Sequence, residues 1–189
     1  MIEIRWHGRG GQGAKTAALL LADAAFATGL YVQGFPEYGP ERMGAPITAY
    51  NRLDSKPIRV HSNIYSPDIV VIVDESLIGP VDVTAGLKST GSVIVNTDRP
   101  PAAVREMFAG CTGAVYAIDA NEISTRALGR ALPNTPLLAA VARLSGIMPE
   151  DEFIRNMRDS FMHKFSSKPE VIEGNMNAIK EAWKGAVLL

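Results

Sequence analysis

The stretch that decides the fold runs Ile2-Glu3-Ile4-Arg5-Trp6-His7, then Gly8-Arg9-Gly10-Gly11-Gln12-Gly13, then Ala14 to Thr28. An alternating apolar run suits a strand. The next six residues fit G-x-G-x-x-G. Ala14–Thr28 is apolar almost all round, charged only at Lys15 and Asp23, as befits a helix buried against a sheet. Gly29 is placed to end it. Glycines here let backbone approach a phosphate, and the helix N-terminus adds N–H donors and positive potential. Ile2, Ile4 and Trp6 alternate with Glu3 and Arg5, so the first strand is expected to be half exposed.

The following segments repeat the strand–helix rhythm. Tyr31–Phe35 reads as a second strand. Asp68–Val73, Ser92–Val95 and Ala114–Ile118 are continuous β-branched or apolar runs, the pattern of parallel strands covered on both faces. Pro36–Val60 breaks the rhythm with five prolines and glycines before Ile47. An extended loop is expected there, then an antiparallel hairpin of Ile47–Leu53 and Ile58–Val60 around Asp54-Ser55-Lys56.

The last third is helical. Asn134-Thr135-Pro136 caps one helix, Pro149 opens another, and Ser167-Lys168-Pro169-Glu170 has capping-box spacing ahead of Ile172, Met176, Ile179 and Trp183. The expected fold is α/β: doubly wound, with a mostly parallel sheet, an inserted antiparallel hairpin and a helical C-terminal third. Without repeats or linkers, residues 1–189 read as a single domain.

Composition narrows the function. Nineteen Lys and Arg against 20 Asp and Glu leave a net charge of −1, unlike a nucleic-acid binder or a polybasic membrane protein. Apolar residues at 47% and charged residues at 21% mark a globular chain. Ala17–Ala27, interrupted by Asp23, is shorter than the roughly 20 residues that cross a bilayer. No secretory signal is visible, so a cytoplasmic location is expected. The one cysteine, Cys111, excludes a disulfide framework and cannot by itself ligate an iron–sulfur cluster.

Candidate chemistry concentrates in the glycine loop. About 20 residues on, where a nicotinamide site carries an acid for the ribose, the chain reads Gln33-Gly34. Lys15-Thr16 lie one residue too far on for a phosphate-binding P-loop. An anion-binding loop is the preferred reading, with a tight turn lacking any ligand as the alternative. Glu37–Gly44 forms a second, Gly/Pro-braced loop, in which Arg42 either faces an anion or stands in solvent. Arg9 and Arg42 are expected to flank the C-terminal ends of adjacent strands. His7 either lines this site or packs at the strand end. His7, His61 and His163 have no ligand-spaced partners, so no metal site is expected; nor is a catalytic nucleophile. Asp74-Glu75 is expected to cap the segment after its strand.

Gly8–Ala17 resembles the gamma subunit of the 2-oxoacid:ferredoxin oxidoreductases. The likeness continues through Tyr38–Pro46, Pro67–Ile72, Asn134-Thr135-Pro136 and Asn177–Trp183, nearly the whole chain. It implies an oxidoreductase subunit, inactive alone, that covers an active site and helps hold coenzyme A as co-substrate. Gly8, Arg9, Gly10, Gly11, Gln12 and Gly13 would take the phosphate end, with Arg9 and Arg42 as charge partners. Thiamine diphosphate, Mg and [4Fe–4S] clusters are implied on alpha, beta and delta-type partner subunits, with ferredoxin reached indirectly. No cofactor is implied on this chain alone, nor any contact with nucleic acid or membrane. A free-standing nucleotide-binding regulatory module is the alternative.

Overall fold

A computed structural model describes residues 1–37 and 44–189. Among these, seven strands form one sheet: β1 (Ile2–Arg9), β2 (Tyr31–Glu37), β3 (Pro46–Asp54), β4 (Ile69–Ile72), β5 (Ser92–Asn96), β6 (Ala114–Ile118) and β7 (Val187–Leu188). Their order is β2-β3-β1-β4-β5-β6-β7. The pairs β1–β4, β4–β5 and β5–β6 are parallel, whereas β3 runs against both β1 and β2, and β7 against β6. Five strands therefore share one direction, and the doubly wound, mostly parallel α/β expectation holds.

The antiparallel pair is composed differently from its prediction. Ile58–Val60 is not a strand. The long strand β3 instead lies between β1 and β2, pairing Ile4 with Asn51 on one side and Phe35 with Tyr50 on the other. Both edges of its alternating pattern find partners, so it has no need of a second arm. This insertion makes β1 central, and the expected half exposure is wrong: Arg5 and His7 are buried along with Ile4 and Trp6 beside them.

Helix α1 (Ala14–Ala27) lies on one face of the sheet with α4 (Asn134–Ser145), and α6 (Pro169–Gly185) packs outside α4 against α3 (Ala120–Leu128) and α5 (Glu150–Lys164). Small side chains set the spacing. Ala17, Ala18, Ala24 and Ala25 of α1 and Ala139, Ala140 and Ala142 of α4 are fully buried, so the backbones approach closely. Ile4, Trp6, Val71 and Ile94 meet them from the sheet. Each such aliphatic side chain contributes about 1.5–3 kcal/mol by leaving water. Across the sheet, α2 (Pro101–Met107) helps cover a smaller core of Val70, Ile72, Val93 and Val95.

Helix ends follow local chemistry. Gly146 adopts φ 63° at the end of α4. Two expected caps differ. Pro133 is the N-cap of α4 and Lys168 that of α6, and neither provides a capping side chain. Asn134 is instead the first helical residue, and its side chain packs beside Gly13.

Candidate functional site

The C-terminal ends of β1, β4, β5 and β6 open onto a cleft of about 520 Å³. Its rim starts at Gly11 and Gln12 and continues along Asp74, Glu75, Asn96, Thr97 and Asp119. Open α/β sheets bind ligands at such edges, where the chain departs to opposite faces.

The glycine loop links β1 to α1 in the predicted way. Gly11 and Gly13 take φ of 99° and 85°, values an L side chain rarely adopts. A Cβ on Gly13 would also stand 2.8 Å from Asn134 Cγ. The first amides of α1 have no carbonyl within the helix to donate to, and the helix dipole places positive potential there. The Gln12 amide donates to the Arg9 carbonyl at 3.1 Å, and the Arg9 amide donates to Gln12 Oε1 at 2.7 Å. The loop is also laced to the segment before β3: Gly10 N donates to Ala45 O at 3.0 Å, and Gly44 N to Gly10 O at 3.2 Å.

Arg9 sits at the junction of these elements. Its Nε lies 3.3 Å from Asp74 Oδ2 and donates to Ser76 Oγ at 3.1 Å; Nη2 donates to the same hydroxyl at 3.0 Å, and Nη1 to Gly44 O at 3.2 Å. Asp74 also accepts from Gln12 Nε2 and, at 2.9 Å, from the Ser76 amide. Burial pushes the Asp74 carboxyl up, but hydrogen bonds from Ser76 and Gln12 and the Arg9 charge outweigh it and hold it below its ordinary value. The expected cap is there, since Asp74 starts the short 3-10 turn Glu75–Leu77. Its link to Arg9 and Gln12 was missed. The signal existed: in the fingerprint an acid ends the strand beside β1. Here β3 displaces the second strand, and the parallel neighbour of β1 is β4, which ends just before Asp74.

The remaining cleft wall is acidic. Glu75 accepts from the Thr97 hydroxyl and pairs with Arg99 at 3.0 Å, and Asp119 caps α3 through the Glu122 amide at 2.8 Å. The buried Asn96 joins β4 to α3, donating to Val73 O and accepting from Ala120 N, both at 2.9 Å. The loop thus carries backbone donors and the Arg9 guanidinium, whereas the carboxylates farther along accept from a hydroxyl, a guanidinium and a backbone amide. Among the described residues, no group of three or more His, Cys, Asp or Glu could hold a metal.

Arg42 lies outside the described residues. Its expected relation to Arg9 is corrected in one respect: β1 and β2, which lead to the two loops, are not adjacent, because β3 separates them. His7 packs at the strand end rather than lining the cleft. It accepts from Arg5 Nε at 3.0 Å, and burial followed by the Arg5 charge pushes its pKa down to about 4. Cys111 is half-buried, and its thiol faces the Gly113 carbonyl.

The sequence pattern of the family described as "Pyruvate ferredoxin/flavodoxin oxidoreductase" matches residues 3–184, from β1 through α6. The chain belongs to this family. It is 46% identical over 188 residues to the pyruvate/ketoisovalerate oxidoreductases common subunit gamma of Thermococcus litoralis, a match covering 100% of this chain and 98% of that protein. The crystal structure of pyruvate oxidoreductase subunit PORC from Thermotoga maritima superposes with a TM-score of 0.85 at 38% identity, covering 99% of this chain and 97% of that one. These homologues are subunits of an oxidoreductase complex. A 2-oxoglutarate:ferredoxin oxidoreductase from Magnetococcus marinus shares the fold at 19% identity and a TM-score of 0.75, with 96% of this chain matching 30% of that chain. The fold thus occurs both as a separate subunit and as part of a longer polypeptide. Among the described residues, no helix is long and apolar enough to cross a membrane.

Proposed function

We propose that the chain is the gamma subunit of a cytoplasmic, thiamine-diphosphate-dependent 2-oxoacid:ferredoxin oxidoreductase. The complex converts a 2-oxoacid, coenzyme A and oxidised ferredoxin to acyl-CoA, carbon dioxide and reduced ferredoxin. Near-complete alignment with gamma subunits at 46% identity is the observation that carries this reading. Thiamine diphosphate supplies the carbanion chemistry when bound to the complex, and iron–sulfur clusters carry the electrons away. The residues of this chain do not fit a cluster, because it has one cysteine. Those groups belong on alpha, beta and delta-type partners, and this chain is inactive alone.

Its own contribution is to cover the active site and seat coenzyme A. The Gly8–Gly13 loop and the N-terminus of α1 suit a phosphate, with Arg9 already beside them and Arg42 shortly ahead of β3 in the chain. The carboxylates along the cleft suit hydroxyl and amine groups of the same ligand. Purified partner subunits are expected to oxidise 2-oxoacid in a coenzyme A-dependent way only after this chain is added. Full activity without it overturns the assignment. In the assembled complex, Arg9→Ala is expected to raise the KM for coenzyme A more than it lowers kcat.

A further inference from the structure

We propose that Asp74 is the positioning residue of the glycine loop, holding Arg9, Gln12 and the Gly44–Ala45 segment in the one arrangement that presents Arg9 to an anion. Its use for coenzyme A rests on the function proposed above; the positioning itself does not.

The argument starts with donors and acceptors. Arginine carries five N–H donors. Nε, Nη1 and Nη2 of Arg9 each make a contact with Ser76 or Gly44, which among the described residues leaves one N–H on each Nη for a ligand. The guanidinium is thus oriented before a ligand arrives, and a planar fork oriented in advance loses less entropy on binding. Ser76 can orient it only while its own backbone is anchored, and that anchor is Asp74 Oδ1 on the Ser76 amide.

The other oxygen works through Gln12. Gln12 Oε1 is committed to the Arg9 amide, so its NH2 must point at Asp74 Oδ2 and needs an acceptor there. One carboxylate with an acceptor on each side meets both demands. A carboxamide cannot. In Asp74→Asn one oxygen still serves Ser76, but the amide nitrogen then faces the Gln12 NH2, donor against donor. Gln12→Glu alone brings two carboxylates together. Combined, the changes restore complementarity. The carboxamide now at position 74 accepts from Ser76 and donates to the carboxylate now at position 12, whose other oxygen accepts from the Arg9 amide. The net charge of the loop is kept, although the 3.3 Å contact of Arg9 Nε with position 74 is no longer an ion pair.

The experiment is a double-mutant cycle read twice. Amide hydrogen exchange in the full chain reports the lacing at Gly10 and Gly44, which donate to Ala45 and Gly10. Asp74→Asn is expected to speed exchange at both amides, and the pair Asp74→Asn with Gln12→Glu to bring it back towards the original. In the assembled complex, the single change is expected to raise the coenzyme A KM about tenfold, as loss of one charge-assisted hydrogen bond does, with kcat little altered and the pair bringing it part of the way back. Unchanged exchange in Asp74→Asn, or a pair no better than the single change, overturns the proposal. Exchange that behaves as expected beside an unmoved KM upholds the positioning and removes coenzyme A as the ligand.

Discussion

The two faces of β1 are closed by different chemistry. Ile4 and Trp6 point into a layer of regular helices rich in alanine, where apolar packing dominates and the main polar link is the buried chain from Trp6 Nε1 through Asn51 to the Ala18 carbonyl of α1. Glu3, Arg5 and His7 point the other way, beneath the irregular chain between β3 and β5. Irregular backbone leaves carbonyls without ladder partners, and once buried these need donors. The sheet supplies them from side chains. Arg5 donates to Val83 O at 3.0 Å and to Ala85 O at 2.7 Å, with Ile64 O at 3.5 Å. Arg52, in a 2.8 Å ion pair with Glu3, donates to Asn63 O, and Gln33 to Val60 O. Arg5, which has no ion pair among the described residues, is here a fastener for loops.

The strongest way to break this contrast is on the helical face. Trp6→Ala empties a fully buried site and strands Asn51 Oδ1, to which Trp6 donates at 2.8 Å. A loss of about 3–5 kcal/mol is expected from urea unfolding. On the opposite face, Arg5→Met leaves the Val83, Ala85 and Ile64 carbonyls without their donor, at roughly 1–3 kcal/mol for each that stays dry, offset where water enters the loops. Its signature is local: hydrogen exchange should rise around Ile64 and Val83–Ala85 while the α1 and α4 amides stay protected. A uniform rise would contradict the fastener role.

A gentler probe uses pH. His7 is held neutral, with its pKa near 4, while in the unfolded chain it returns to its ordinary value of 6.5. Between those values the unfolded state binds the extra proton, so stability falls as pH drops from 6.5 to 4. Its share is on the order of 3 kcal/mol at most. His7→Gln, which can still accept from Arg5, should flatten that part of the curve. Identical curves would show that His7 does not contribute.

Much of this was legible in advance. The strand–glycine–helix unit, the three apolar parallel strands and the amphipathic C-terminal helices each announce themselves through local spacing. Ile58–Val60 misled because a short apolar alternation looks the same whether or not a neighbour is present to pair with it. The burial of Arg5 was hidden for a similar reason: charge in an alternating strand normally signals solvent, and only the covering loops reverse that. In the candidate site the glycine loop was evident. Asp74 reads locally as a cap, since adjacent acids at a strand end point to opposite faces, and it lies about 60 residues beyond the loop rather than the roughly 20 at which a ribose acid is sought.

The sequence by itself thus determined most of the longer elements, the α/β class and the kind of loop that ends β1. These depend on hydrophobic period and on backbone freedom at Gly11 and Gly13, properties carried by neighbouring residues. Tertiary structure alone decided that β3 enters between β1 and β2. That entry makes β4 the parallel neighbour of β1, buries Arg5 and His7, and sets Asp74 against Arg9 and Gln12. Strand order is a matter of pairing between segments far apart in the chain, and no local pattern encodes which two edges will meet.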